Sequence, residues 1–281
     1  MKLVKLCIFI TLILATLPVP LVASSVTVSW NGTAWAVLDE NGSHLTIVTS
    51  DQDVLMFSLR VNGTPCGLTW NGSEWLVETF IPDKIIVQTL NGSHIFHVHS
   101  YDCRGFAYIN GTYHVPISES AMMGDCSLLL ISPNGSIKGT IPCGFINSVR
   151  VKAIEGKLYF MNCTGVYVYS NGRFEQVHQL NDCADGFGFL RDKLLLCSGG
   201  LTEVSKNGER EVLNACDAIG CNDRECLIVA NKTLYIYDGR LRKLETEKIP
   251  DSSASVLMKA LTLSALVVLL ASVILLRKRL F

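Results

Sequence analysis

Two tracts set forty residues apart carry nearly the same eight residues. Trp30-Asn31-Gly32-Thr33-Ala34-Trp35-Ala36-Val37 recurs as Trp70-Asn71-Gly72-Ser73-Glu74-Trp75-Leu76-Val77. A weaker copy follows at Ile109-Asn110-Gly111-Thr112-Tyr113-His114-Val115. Segments 154–159, 190–195 and 222–229 keep only the turn and its apolar exit. A second set of turns interleaves with these at Asn41, Asn91, Asn134, Asn171, Asn207 and Asp238, each followed by Gly, at spacings that shrink from 50 to 31 residues. Asn-Gly between apolar runs is a strong hairpin signal, because a type I′ turn needs positive φ at both central residues. Two hairpins per unit of about 40 residues make four short strands, the blade of a β-propeller.

The strands agree with this reading. Leu158-Tyr159-Phe160, Val166-Tyr167-Val168-Tyr169 and Leu234-Tyr235-Ile236-Tyr237 are short and rich in β-branched or aromatic residues. No stretch between Ser25 and Pro250 holds a helical apolar period. The expected fold is therefore all-β, a single propeller. Six motif pairs predict six blades, with five or seven also compatible, and a β-sandwich is the competing architecture. A blade cannot bury both faces alone, so a closed ring makes the core and removes free edges.

The W-N-G-[ST]-x-W-[AL]-V unit resembles the blade repeat of Kelch-like and sialidase-repeat propellers of microbial cell surfaces. It departs from the sialidase Asp-box, Ser-x-Asp-x-Gly-x-x-Trp. Ser29-Trp30-Asn31-Gly32-Thr33-Ala34-Trp35 is one residue shorter and has Asn in place of Asp. The resemblance implies a fold and leaves activity open.

Both ends read as membrane-directed. Lys2 and Lys5, an apolar run from Leu6 to Leu17, and small residues through Ser25 form a secretory signal peptide, residues 1–24. Residues 25–246 then form the propeller ectodomain, 247–255 a short stalk, 256–276 a transmembrane helix and 277–281 an inner tail. About 21 apolar or small residues give roughly 31 Å of helix, enough to span a bilayer. Arg277, Lys278 and Arg279 hold the inner side. The expected location is the cell membrane, with the ectodomain outside and the C-terminus in the cytoplasm.

All 25 acidic residues fall between these end segments, against 18 of the 24 basic ones, a balance of −7. This charge excludes nucleic acid as a partner. Cys7 lies in the signal peptide. Ten cysteines remain, Cys66, Cys103, Cys126, Cys143, Cys163, Cys183, Cys197, Cys216, Cys221 and Cys226, and in a secreted chain an even number implies five disulfides. Neighbour pairs such as Cys126–Cys143 and Cys221–Cys226 are one choice of connectivity. A zinc site from Cys216, Cys221 and Cys226 competes, though no Cys-x-x-Cys is present.

Seven of the nine Asn-Gly dipeptides are followed by Ser or Thr, an excess that turn chemistry does not require. With Asn162 and Asn231 they make nine glycosylation acceptors: Asn31, Asn41, Asn62, Asn71, Asn91, Asn110, Asn134, Asn162 and Asn231.

Candidate chemistry is sparse. His94-Ile95-Phe96-His97-Val98-His99 holds half of the six histidines. Strand alternation puts His97 and His99 on one face and His94 on the other, a weak metal pair needing a third ligand such as His114 or Asp102. Asp182, Asp185 and Asp192, and later Asp217, Asp223 and Glu225, could supply two hydrolytic carboxylates across a propeller mouth. Trp30, Trp35, Trp70 and Trp75 read as blade core, or else as a carbohydrate-stacking platform. No cofactor is implied. The expected function is a recognition, adhesion or surface-complex module with a protein or glycan partner, and the alternative is a surface hydrolase.

Overall fold

The computed structural model describes residues 26–39, 44–103, 105–118, 126–143 and 150–244. The signal peptide, stalk, transmembrane helix and inner tail lie outside these residues, as does Asn41. The described residues form six four-stranded antiparallel sheets, each built of consecutive strands. The blades span 27–58, 64–99, 107–142, 150–179, 186–213 and 218–243. The expected six-bladed, all-β ring is what the chain adopts, and the fold-level resemblance to propeller repeats holds.

The first strand of every blade lines one central channel: Thr27–Trp30, Thr64–Trp70, Ala107–Ile109, Arg150–Ile154, Gly186–Leu190 and Ala218–Cys221. Six apolar clusters fill the wedges, one at each blade–blade interface. The ring closes where Val28, Trp35 and Val37 of blade one pack on Leu227, Val229 and Ile236 of blade six. No strand is shared between those two sheets, so closure draws on apolar burial and not on a shared ladder.

Chain direction gives the ring two distinct faces. A connection from an outer strand to the next inner strand must cross three strand spacings, about 14 Å. Only four residues lie between Gly208–Leu213 and Ala218–Cys221, enough to cross a blade edge but not also to climb its length. Each inner strand therefore starts on the face where the preceding outer strand ended. Turns joining strands one to two and three to four share an upper face. Strands two and four end on a lower face.

Turn chemistry divides more finely than the sequence suggests. Asn110-Gly111 and Asn171-Gly172 each separate a directly paired strand end, with both residues at positive φ, as a type I′ turn demands. Asn31 and Asn71 do not. Trp30 pairs with Trp35 and Trp70 with Trp75, which leaves four-residue loops. In them the Asn side chain caps the turn: Asn31 Oδ1 accepts the amides of Thr33 (2.9 Å) and Ala34 (2.7 Å). The second turn set also splits. Asn91, Asn134, Asn171, Asn207 and Asp238 join third to fourth strands, whereas Asn41 falls in sequence between the second and third strands of blade one. That offset produces the long first spacing of 50 residues.

All ten cysteines pair. Four bridges lie toward the lower face and follow one rule: each pins an outgoing connection to the blade it leaves. Cys66–Cys103, Cys126–Cys143, Cys163–Cys183 and Cys197–Cys216 do so for blades two to five in turn. Cys221–Cys226 crosses the upper hairpin of blade six. These pairings consume Cys216, Cys221 and Cys226, which corrects the zinc alternative. The connection leaving blade one is held instead by the blade it enters, through Gln88 of blade two. Its side-chain nitrogen donates to the Asn62 carbonyl (2.9 Å), and its side-chain oxygen accepts the Asn62 amide (3.2 Å).

Candidate functional site

The inner strands enclose a channel of about 450 Å³. An inner strand has one unpaired edge, so its carbonyls need partners from across the channel. Lys152, mid-strand in blade four, supplies one. Its Nζ donates to the carbonyl oxygens of Phe187 (2.8 Å) in blade five and Ile219 (2.5 Å) in blade six, and lies 5.5 Å from the Phe187 ring centre. Burial and the nearby Arg150 guanidinium push the Lys152 pKa down to about 7, against the pull of two carbonyls that favour the ammonium.

A second buried charge sits behind the channel wall. Glu78, on the second strand of blade two, is fully buried, and neither carboxyl oxygen has a hydrogen-bond partner. Burial lifts its pKa to about 8. The neighbouring Gly105 amide and Arg150 oppose this only in part, while Asp102 adds to it. Gly67 pairs with Glu78 across the sheet. A Cβ at Gly67 would stand 2.6 Å from Glu78 Oε2 and 2.8 Å from the Gly105 Cα, so the carboxyl occupies space that only glycine leaves. Glu78 lies within 4.8 Å of the Cys66 and Cys103 sulfurs, but these are joined in a disulfide and hold no metal.

The upper mouth is aromatic. Trp30, Trp70, Tyr108 and Phe189 border it, with Asn31, Glu155, Asn222 and Asp223. The four tryptophans thus divide: Trp35 and Trp75 are core, while Trp30 and Trp70 are half-buried at the rim.

The candidate acids divide between the two faces. Asp182 and Asp185 precede the inner strand of blade five at the lower face, whereas Asp192 sits in its upper turn. Asp217 accepts the Asn231 amide (2.7 Å) at the lower face. Asp223 and Glu225 lie in the upper turn of blade six, Glu225 3.6 Å from Arg242. Asp185 and Asp223 both border the channel, but at opposite mouths, roughly 16 Å apart by strand rise. Glycosidase carboxylates stand about 5–9.5 Å apart.

His97 and His99 share the exposed face of their strand, but His94 does not take the opposite one. Ile95 is an extra residue in the outer strand of blade two, where Val87 pairs with Phe96 and Gln88 with His94. The bulge reverses alternation, so His94 joins His97 on one exposed face, and His97 Nδ1 lies 3.3 Å from His94 Nε2. His99 instead meets the Tyr101 ring edge-on. Among the described residues no third ligand completes a site there. His114 is half-buried, its Nδ1 3.1 Å from the Thr112 carbonyl, and burial lowers its pKa.

The acceptor asparagines fall unevenly on the two faces. On the upper face stand Asn31 in blade one, Asn71 and Asn91 in blade two, and Asn110 and Asn134 in blade three. On the lower face stand Asn162 and Asn231, while Asn62, in the connection between blades one and two, is held by Gln88 beside the upper turn of blade two. In blades four to six the upper-face asparagines Asn171, Asn207 and Asn222 persist, but Arg173, Glu209 and Arg224 replace the hydroxyl residue. Asn222 still caps its turn, accepting the amides of Arg224 and Glu225 (2.8 Å each). The cap therefore works without the hydroxyl.

Lys152, Glu78 and Gly67 carry no signal in a single sequence beyond a lone charge or glycine in an apolar strand. No family model matches the chain, and no curated protein matches it. Among solved structures it is similar to the WD40 β-propeller domain of Doa1 (9% identity, TM-score 0.47, covering 78% of this chain and 92% of that one). It is likewise similar to the computationally designed Ika8 protein (9%, 0.47, 80% and 88%), and to BBS1N crystallised with ARL6DN (12%, 0.47, 80% and 81%).

Proposed function

We propose that the chain is a membrane-anchored, extracellular recognition module without catalysis, which engages a protein partner through the upper face of blades four to six. The observation that carries this reading is the exchange of the sequon hydroxyl for Arg173, Glu209 and Arg224 on turns that keep their asparagine. Blades one to three would carry glycans on the same face and shield it. Blades four to six would stay bare and present a mosaic of both charge signs, including Lys157, Arg191, Asp192 and Lys206. Charge mosaics of this kind suit polar, wet protein interfaces, where they set specificity and on-rate.

Orientation supports the same face. The last strand, Leu241–Lys243, runs toward the lower face. A stalk of nine residues reaches at most about 30 Å. The lower face then looks at the bilayer and the upper face away from it.

Lysine-directed crosslinking in the native membrane, with mass spectrometry of captured neighbours, tests this. One reproducible partner joined through Lys157 or Lys206 is the expected outcome. A partner joined only through Lys84 and Lys232, on the lower face, would overturn the assignment of the surface.

A further inference from the structure

The best-conserved unit within the chain, Trp-Asn-Gly-Ser/Thr, has a part that neither the core nor the bare face uses. Trp35 and Trp75 are core residues, but Trp30 and Trp70 are not. Each packs against its partner indole, with ring centres 4.4 and 5.2 Å apart, and also borders the channel mouth. Each immediately precedes an acceptor asparagine, and Tyr108 stands two residues before Asn110. The inner strands of blades four to six end instead in Ile154, Leu190 and Cys221, and their upper turns hold no acceptor. Rim tryptophan and acceptor occur together, whereas Phe189 of blade five borders the mouth without one.

We propose that the upper channel mouth is a saccharide-binding site, occupied by the first sugars of the chain's own Asn31- and Asn71-linked glycans. This rests on the glycosylation reading above. The face of an aromatic ring is electron-rich and matches the C–H bonds on one side of a pyranose. Asn31 Oδ1 is committed to the Thr33 and Ala34 amides, which leaves the side-chain nitrogen to carry the glycan, and Asn31 itself borders the channel. Asn222 and Asp223, on the adjoining rim of blade six, offer partners for sugar hydroxyls. A cavity of about 450 Å³ is of ordinary ligand size, within the usual 300–1,000 Å³.

Acrylamide quenching of tryptophan fluorescence reads this site directly, because Trp35 and Trp75 are buried and only Trp30 and Trp70 can respond. The test compares the native glycoprotein with a Thr33→Val/Ser73→Ala variant, which loses both acceptors and keeps both asparagine caps. The quenching constant should rise roughly two-fold, since buried indoles contribute little. An Asn134→Gln variant, stripped of an outer glycan, should quench as the native protein does. Peptide mapping separates the two ways of failing. Sugars mapped to Asn31 and Asn71 with unchanged quenching overturn this site alone. Sugars absent from both overturn it together with the glycosylation reading.

Discussion

Lys152 reaches the carbonyl of Ile219 two blades away, at 2.5 Å, and so ties the inner strands of blades four, five and six across the channel. Two carbonyls depend on one ammonium. Replacing Lys152 with Met leaves both without that donor, and an unsatisfied buried acceptor costs about 1–3 kcal/mol, more than a typical hydrogen bond gains. The desolvation that lowers the lysine pKa is relieved at the same time and offsets part of this. Lys152→Met should lose about 2 kcal/mol by urea denaturation, on the scale for a hydrogen bond to a charged group. A neutral or stabilised variant would show that the ammonium is a net burden.

Glu78 should make stability fall as pH rises. Its folded pKa, about 8, stands above the usual carboxylate value, so the folded state holds the proton that the unfolded chain has released. Below the unfolded value near 4.5 the two states bind it equally and nothing is lost. Between there and about 8 the loss is at most about 1.4 kcal/mol per pH unit. Glu78→Gln should abolish this slope, with variant and parent nearly equal at pH 4 and the variant more stable at pH 8. Parallel stability curves would contradict the assignment.

Much of the ring was legible because its information is local. The six expected first turns, from Asn31 to Asn222, are the six upper inner hairpins, since a turn and its flanking strands are consecutive in the chain. Blade order followed from their count. What stayed hidden depends on distance or on broken periodicity. Lys152 meets residues 35 and 67 positions away. Strict alternation put His94 on the wrong face because one bulged residue, Ile95, shifts every later side chain. The tryptophan unit looked uniform in sequence, yet half of it is core and half is rim. Only the ring decides which strand end faces the channel.

The lower-face disulfides should differ in worth from the upper one. Cys163–Cys183 closes a separation of 20 residues and fixes a connection, whereas Cys221–Cys226 closes 5 within a hairpin already held by its ladder. Loop-closure entropy assigns about 3 kcal/mol to the first and about 2 to the second. Double serine variants compared by chemical denaturation should keep that order. A larger loss at Cys221–Cys226 would point to strain relief or unfolded-state structure instead of loop entropy.

Occupancy of the acceptors should follow exposure. Asn162 is 4% exposed, and its Oδ1 accepts the Thr164 amide, the Thr164 hydroxyl and the Gly165 amide, while Asn91, Asn110 and Asn134 are exposed. A glycan on Asn162 would have to leave through a turn that Cys163 ties down. Site-by-site mass spectrometry should find Asn162 unmodified and the three exposed sites filled. Full occupancy at Asn162 would require that turn to be open when the chain is glycosylated.

His94 and His97 set a last, sharper test of the bulge. Two nitrogens on one zinc ion at about 2.0–2.1 Å, at a tetrahedral angle, lie about 3.3–3.4 Å apart, and these two stand at 3.3 Å. With two protein ligands the site should bind Zn²⁺ weakly and release it to a chelator. Equilibrium dialysis should find one weakly held Zn²⁺ per chain, lost in His97→Gln and kept in His99→Gln. His99 shares that exposed face, so loss in both variants would put the ion on His97 and His99 and remove His94 from the site.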